Sequence, residues 1–286
     1  MQHSVHQAVR RAWGDGPRSS GRHDTMSIDS ASPFVYRLGT LLGCLLGMLV
    51  VFAGEPPAVG PMLRVGVSPV FPPMVFKQGG EIVGVEVDLA RALGERLGRS
   101  ITLVELRWED QIEALQKGRI DIIMSALSVT RARAYVLDFS QPYMNVGQAV
   151  LVRREDEGKY LLGMPSTPPG TVGVLKATTG EFLVQRDFPK AKRKVFKSAV
   201  DAAQALKKEK IDLFITDSPL VWHLSGVHAA EGLSAVPFLL SQEQLAWGLR
   251  KGDDQLLKAV NEFVQQAAQD GTLIQVLRRW TAMAPR

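Results

Sequence analysis

The sequence predicts an α/β protein of two lobes facing a cleft, and three observations carry that expectation. The first is an internal near-repeat. Residues 114–125 read ALQKGRIDIIMS and residues 205–216 read ALKKEKIDLFIT, a constant offset of 91. Each copy runs from an amphipathic helix (Gln111 to Lys117, Val200 to Lys208) through a short turn into an unbroken apolar run. An apolar run of that length after a helix reads as a parallel strand covered on both faces. The second observation is how these strands end, in Ser125-Ala126-Leu127-Ser128 and in Thr216-Asp217-Ser218-Pro219. Ligands in open α/β sheets bind beyond the carboxyl ends of strands, so two such ends suggest two lobes with a site between them. The third is a restart of the strand, small-residue turn and helix pattern at GTVGVLKATTGEFLVQRDF, after QAVLVRRED.

The remaining elements follow in order. MLRVGVS (62–68) is a strand, closed by the proline-rich turn Phe71-Pro72-Pro73-Met74. GEIVGVEVDLARALGERLG passes from a hairpin-like strand into a helix with Leu89, Ala90, Leu93 and Leu97 on one face. ITLVEL is a further strand, and LLKAVNEFVQQAAQDGTLIQVLRRW is two helices broken at Gly271.

The first 53 residues read differently. From Leu38 to Ala53 the chain is apolar or small, Arg37 precedes the run, and Val51-Phe52-Ala53 has the form of a signal-peptidase site. We expect residues 1–53 to be leader and signal peptide, with Met26 as the start and the mature chain beginning near Gly54 or Glu55. Two alternatives are an uncleaved anchor, for which 16 apolar residues are short, and lipidation at Cys44, which only six residues separate from Arg37.

Composition excludes several classes. The formal charge of +5 includes five Arg and three Asp from residues 1–53, leaving +3 for the rest, with no basic stripe of interleaved aromatics. That argues against nucleic acid. Cys44 is the only cysteine and only His223 and His228 follow residue 53. A disulfide framework, a thiol nucleophile and a metal site are therefore not expected, nor is any cofactor.

Taken in order, R-V-G-V-x-P-x-F-P-P-M, G-x-x-V-G-V-E-V-D-L, W-x-x-x-I-x-A-L-x-x-G-x-I-D, S-x-T-x-x-R, D-F-S-x-P-Y and D-G-T-x7-W span residues 64–280. In this order and spacing the chain resembles the family 3 extracellular solute-binding proteins, the amino-acid-binding components of ABC importers. The resemblance implies a periplasmic-binding-protein-like (type II) fold, two α/β lobes joined by two hinge strands. Lobe 1 would be residues 60–147 plus 245–286 and lobe 2 residues 148–244. It also implies a periplasmic, monomeric protein that closes on an amino acid and hands it to a membrane permease.

Site residues carry over motif by motif. Arg133 stands at the arginine of S-x-T-x-x-R, which the family uses to clamp the ligand carboxylate. A guanidinium can donate two parallel hydrogen bonds where lysine cannot. Arg131 reads as a surface charge, and Ala132 stands where the family usually has an acid. Ser125, Ala126 and Ser128 belong to the turn before Arg133. Thr178 and Thr179 sit at a helix N-terminus, which favours an anion and equally favours a plain N-cap. Asp217 matches the aspartate that takes the ligand ammonium group, or else forms an Asx-turn before Ser218-Pro219. Side-chain selectivity would come from Ser68, Phe71, Trp108, Ser125 and Leu175, with Phe71 and Trp108 sandwiching the ligand. Binders of basic amino acids in this family often carry an acid where Ser68 stands. A neutral ligand is therefore expected, unless an acid such as Glu86 substitutes. The competing readings are a cyclohexadienyl-dehydratase-like enzyme, whose general acid would stand where this chain has Leu220, and a stand-alone ligand sensor.

Overall fold

The computed structural model describes residues 60–168 and 170–281, and the expected leader and signal peptide (1–53) lie outside them. The described residues belong to one compact unit, Pro57–Arg286. Its first part runs β1 (Gly60–Val67), β2 (Val70–Phe71), β3 (Val75–Gln78), β4 (Glu81–Val83), α1 (Val85–Leu97), β5 (Arg99–Glu105), α2 (Gln111–Gln116), β6 (Ile122–Ile123), α3 (Arg131–Val136), β7 (Asp138–Phe139) and β8 (Met144–Val146). The second runs β9 (Gln148–Arg153), β10 (Thr171–Leu175), α4 (Thr179–Asp187), β11 (Lys192–Phe196), α5 (Ala199–Lys207), β12 (Leu213–Asp217), α6 (Ser218–Val227), β13 (Leu233–Ala235) and β14 (Glu243–Leu245). The chain then returns through β15 (Gly248–Leu249), α7 (Asp254–Gln269) and α8 (Thr272–Thr281).

These elements form two five-stranded sheets, ordered β5-β1-β6-β15-β7 and β11-β10-β12-β9-β13. Both are mixed. β6 lies parallel to β1 and antiparallel to the returning β15, and β12 lies parallel to β10 and antiparallel to β9. Each sheet is covered on both faces, which is why the repeated runs are apolar throughout. Leu213 and Ile215 pack into one core of the second sheet while Phe214 enters the other. Ile122 and Ile123 divide in the same way in the first.

The repeat's Ile-Asp pair has a structural reason. Ile120 and Ile211 are fully buried. The aspartate that follows each accepts a backbone N–H from the neighbouring parallel strand: Arg64 N to Asp121 Oδ2 at 2.8 Å, Thr171 N to Asp212 Oδ2 at 2.6 Å. A Cβ on Gly66 would lie 2.3 Å from the end of the Ile120 side chain, which a larger residue there would displace.

The chain passes between the sheets twice, and the two passages pair as an antiparallel ladder. Met144, Asn145 and Val146 of β8 face Leu245, Gln244 and Glu243 of β14. They approach closely, since a Cβ at Gly147 would lie 2.1 Å from Ser241 O.

Candidate functional site

Five strand ends meet at one cavity with about 600 Å³ of empty volume, counting its mouth. All eleven residues singled out from the sequence line it. From the first sheet come Ser68 and Phe71 after β1, Trp108 after β5, and Ser125, Ala126 and Ser128 after β6, with Arg133 on α3. The second contributes Leu175, Thr178 and Thr179 after β10, and Asp217 at the end of β12. Val70, Glu109, Lys176 and Lys197 also line it and were missed. Adjacency to Phe71, Trp108 and Leu175 was the available signal for the first three.

Arg133 is the cation of the first wall. Thr130 caps α3 by accepting Arg133 N at 3.2 Å, and Arg133 Nη1 donates to Ser128 O at 2.8 Å. The guanidinium also lies over the Trp108 ring, Cζ 5.3 Å from the centroid. Among the described residues it makes no other hydrogen bond or ion pair, so several N–H donors stay free for a ligand. Burial lowers its pKa, opposed by the negative charges of Asp217 and Glu243. Arg131 is exposed.

Asp217 is the acid of the facing wall. It stands at the N-cap position of α6 yet makes no capping hydrogen bond, which leaves the Asx-turn reading without support. Its Oδ1 accepts from Gln148 Nε2, while Oδ2 has no partner among the described residues. Burial first, and the nearby Glu243 carboxylate second, push its pKa up to about 7. A buried carboxylate in that state is one that lacks a counter-charge.

Two turns of the site are strained in the same way. Ala126 (φ 54°) and Ala177 (φ 57°) both adopt the left-handed conformation, and each is held by a carboxylate. Ala126 N donates to Glu86 Oε1, and Ala177 N donates to Glu181 Oε2 at 2.7 Å. Glu86 is fully buried and also accepts from Tyr143 Oη at 2.7 Å and Trp247 Nε1 at 2.9 Å. Burial raises its pKa against these donors. Glu86 is committed to the turn and does not line the cavity. Thr178 serves as the N-cap of α4, accepting Glu181 N at 3.3 Å, and Thr179 Oγ1 accepts from Gln148 Nε2 at 3.0 Å. A left-handed alanine costs about 1–2 kcal/mol, and glycine's extra unfolded-state entropy offsets about 0.5–1 kcal/mol of that. Ala177→Gly is therefore expected to raise stability by about 0.5–1 kcal/mol, read from denaturant midpoints at constant slope.

The lobes also touch across the cavity. Trp108 Nε1 donates to Ala177 O at 3.0 Å, and Lys176 Nζ lies 3.2 Å from Glu109 Oε1. Trp108 thus offers its face to Arg133 and its edge to the opposite lobe.

The family model for bacterial extracellular solute-binding proteins, family 3, matches residues 63–283. The chain belongs to this family. Among relatives of this solute-binding protein, the L-cystine-binding protein TcyJ of Escherichia coli (strain K12) is 27% identical over 219 residues, 76% of this chain and 82% of that protein. The crystal structure of the ancestral amino acid-binding protein AncCDT-1, a precursor of cyclohexadienyl dehydratase, is 34% identical with a TM-score of 0.69, covering 77% of this chain and 95% of that one. An ancestral arginine-binding protein bound to arginine is 31% identical with a TM-score of 0.71, covering 77% and 97%. The solute-binding protein thus has the two-lobe fold of amino-acid-binding relatives. Among its described residues no helix is long and apolar enough to cross a membrane.

Proposed function

We propose that this protein captures a neutral α-amino acid between its lobes in the periplasm and delivers it to an ABC permease. The observation that carries this reading is the pairing of Arg133 and Asp217. Opposite charges on facing walls line one cavity, each with hydrogen-bonding capacity left over. An α-amino acid presents a carboxylate and an ammonium group at fixed separation and would satisfy both. The boundaries expected from the resemblance, 60–147 plus 245–286 and 148–244, are our reading of the two lobes, with β8 and β14 as the hinge strands. A monomer suffices for this mechanism.

Neutrality rests on the charges that remain. Ser68 brings no acid, Glu86 is buried against Tyr143 and Trp247, and Glu109 is paired with Lys176. Lys197 adds a further cation to the lining. A basic side chain would therefore meet repulsion from Lys197 and find no unpaired acid among these groups. The enzyme reading needs, besides the aspartate at 217, a general acid at the position of residue 220. Leu220, at the position expected for that acid, is fully buried in the core beneath α6, which favours a binding protein.

A thermal-shift screen of the protein from Gly54 onward against amino acids and small organic acids tests this. At about 100 times Kd a ligand adds roughly 2.7 kcal/mol of stability, a shift of a few degrees. Neutral amino acids should give the largest shifts. Shifts confined to sugars or dicarboxylates would reject the reading.

A further inference from the structure

Beneath the cavity, two carboxylates are bound to one amide. Gln148, fully buried at the start of β9, directs Nε2 at Asp217 Oδ1 and, at 3.0 Å, at Glu243 Oε1. Glu243 sits on β14, one of the two passages between the sheets. Its Oε1 also accepts from Ser241 Oγ at 2.8 Å, and Ser241 Oγ accepts Gln148 N at 2.9 Å. The result is a closed ring of hydrogen bonds linking β9, β14 and the aspartate that ends β12. Glu243 Oε2 is buried without a hydrogen-bond partner among the described residues, as is Gln148 Oε1.

Packing does not call for a charge here. A glutamine at 243 could accept the same two hydrogen bonds through its carbonyl oxygen, without a second buried negative charge beside Asp217. The Glu243 charge beside the same donor raises the proton affinity of Asp217, so the charge has an effect that the hydrogen bonds alone do not. We propose that Glu243, fastened beside Asp217 by the shared Gln148 amide, is a positioning residue of the amine subsite whose charge keeps a proton on Asp217 until a cationic group enters. This rests on the reading of Asp217 as the ammonium partner, and it places the electrostatics of that subsite on a strand that joins the lobes. Arrival of the ammonium group would displace the proton, so capture is coupled to proton release at the passage between the sheets.

The groups that face Asp217 are few. Arg133 of α3 lowers its proton affinity, Glu243 of β14 raises it, and Gln148 of β9 lowers it by donating a hydrogen bond. Thr179 of α4 shares the Gln148 amide, and the Tyr143 hydroxyl before β8 lies within the field of Asp217.

The test follows the Asp217 carboxyl carbon by NMR in ligand-free full chain labelled at aspartate, with the signal assigned by its loss in Asp217→Asn. The wild type should titrate in the neutral range. In Glu243→Gln, which keeps the shape and the hydrogen bonds, the midpoint should fall by about one unit or more. In Glu243→Asp the neutral midpoint should be retained. Gln148→Leu removes the donor and should move the midpoint in the opposite direction, and Glu243→Leu, which also removes the charge, decides the matter if Glu243→Gln does not fold. An unmoved midpoint in Glu243→Gln, or a downward move in Gln148→Leu, would overturn the proposal. Because this titration contains no ligand, its failure speaks only to Glu243, whereas failure of amino acids to bind speaks to the reading of the cavity.

Discussion

Arg133→Lys is expected to weaken amino-acid binding by roughly ten- to a hundredfold while leaving the fold intact. The substitution keeps the charge but loses the planar fork that can meet both carboxylate oxygens. It also withdraws the flat cation from the Trp108 face and the Nη1 donor from Ser128 O. Loss of charge-assisted hydrogen bonds corresponds to about 1.5–3 kcal/mol, which is the stated range in Kd. Arg131→Lys is the control. Arg131 is exposed and lies outside the cavity lining, so affinity should not change. Calorimetry on both variants decides between the two arginines, and equal losses would place the carboxylate elsewhere.

Removing the ligand's ammonium group is expected to cost more, about 3–5 kcal/mol by analogy with broken buried ion pairs. The same subsite predicts a pH profile. In the ligand-free protein Asp217 has its pKa raised to about 7 from the ordinary 3.8. Only the ionised form pairs with an ammonium group, so affinity should be full above about pH 7 and fall by up to about tenfold per unit below it. Ligand-free stability should run the other way. The folded state keeps a proton that the unfolded chain gives up, so the contribution of this group is greatest below 3.8 and is lost as pH rises towards about 7. Asp217→Asn should flatten both slopes and erase most of the preference for the amine. Calorimetric titrations across the neutral range, paired with melting curves of the free protein, would show the opposed trends. Parallel slopes would remove Asp217 from the role.

Legibility in the sequence followed how local each signal was. The two sheets could be read because the repeated helix-strand unit writes its burial on both faces into a continuous apolar run, Ile122–Met124 and Leu213–Ile215. The mixed direction of the sheets could not, since it depends on β15 and β9 pairing antiparallel with partners about 125 and about 65 residues away in the chain. Cavity residues were legible where they close a strand, as Ser125, Leu175 and Asp217 do. The supports beneath them were not. Glu86 reaches Ala126 across 40 residues, and Glu243 reaches Gln148 across 95. Neither separation leaves a periodic or motif-like mark. The positive φ of Ala177 is likewise unmarked, since alanine is not the residue that such a turn favours.

The most direct measurement is a calorimetric titration of the wild type at mildly alkaline pH with three molecules of one carbon skeleton. These are the neutral amino acid selected by the thermal-shift screen, its deaminated acid and its decarboxylated amine. The account predicts tight binding of the first and at least about a hundredfold weaker binding of each of the others, because each leaves Asp217 or Arg133 buried without its partner. Comparable affinity for all three, or for the amino acid and either analogue, would contradict it.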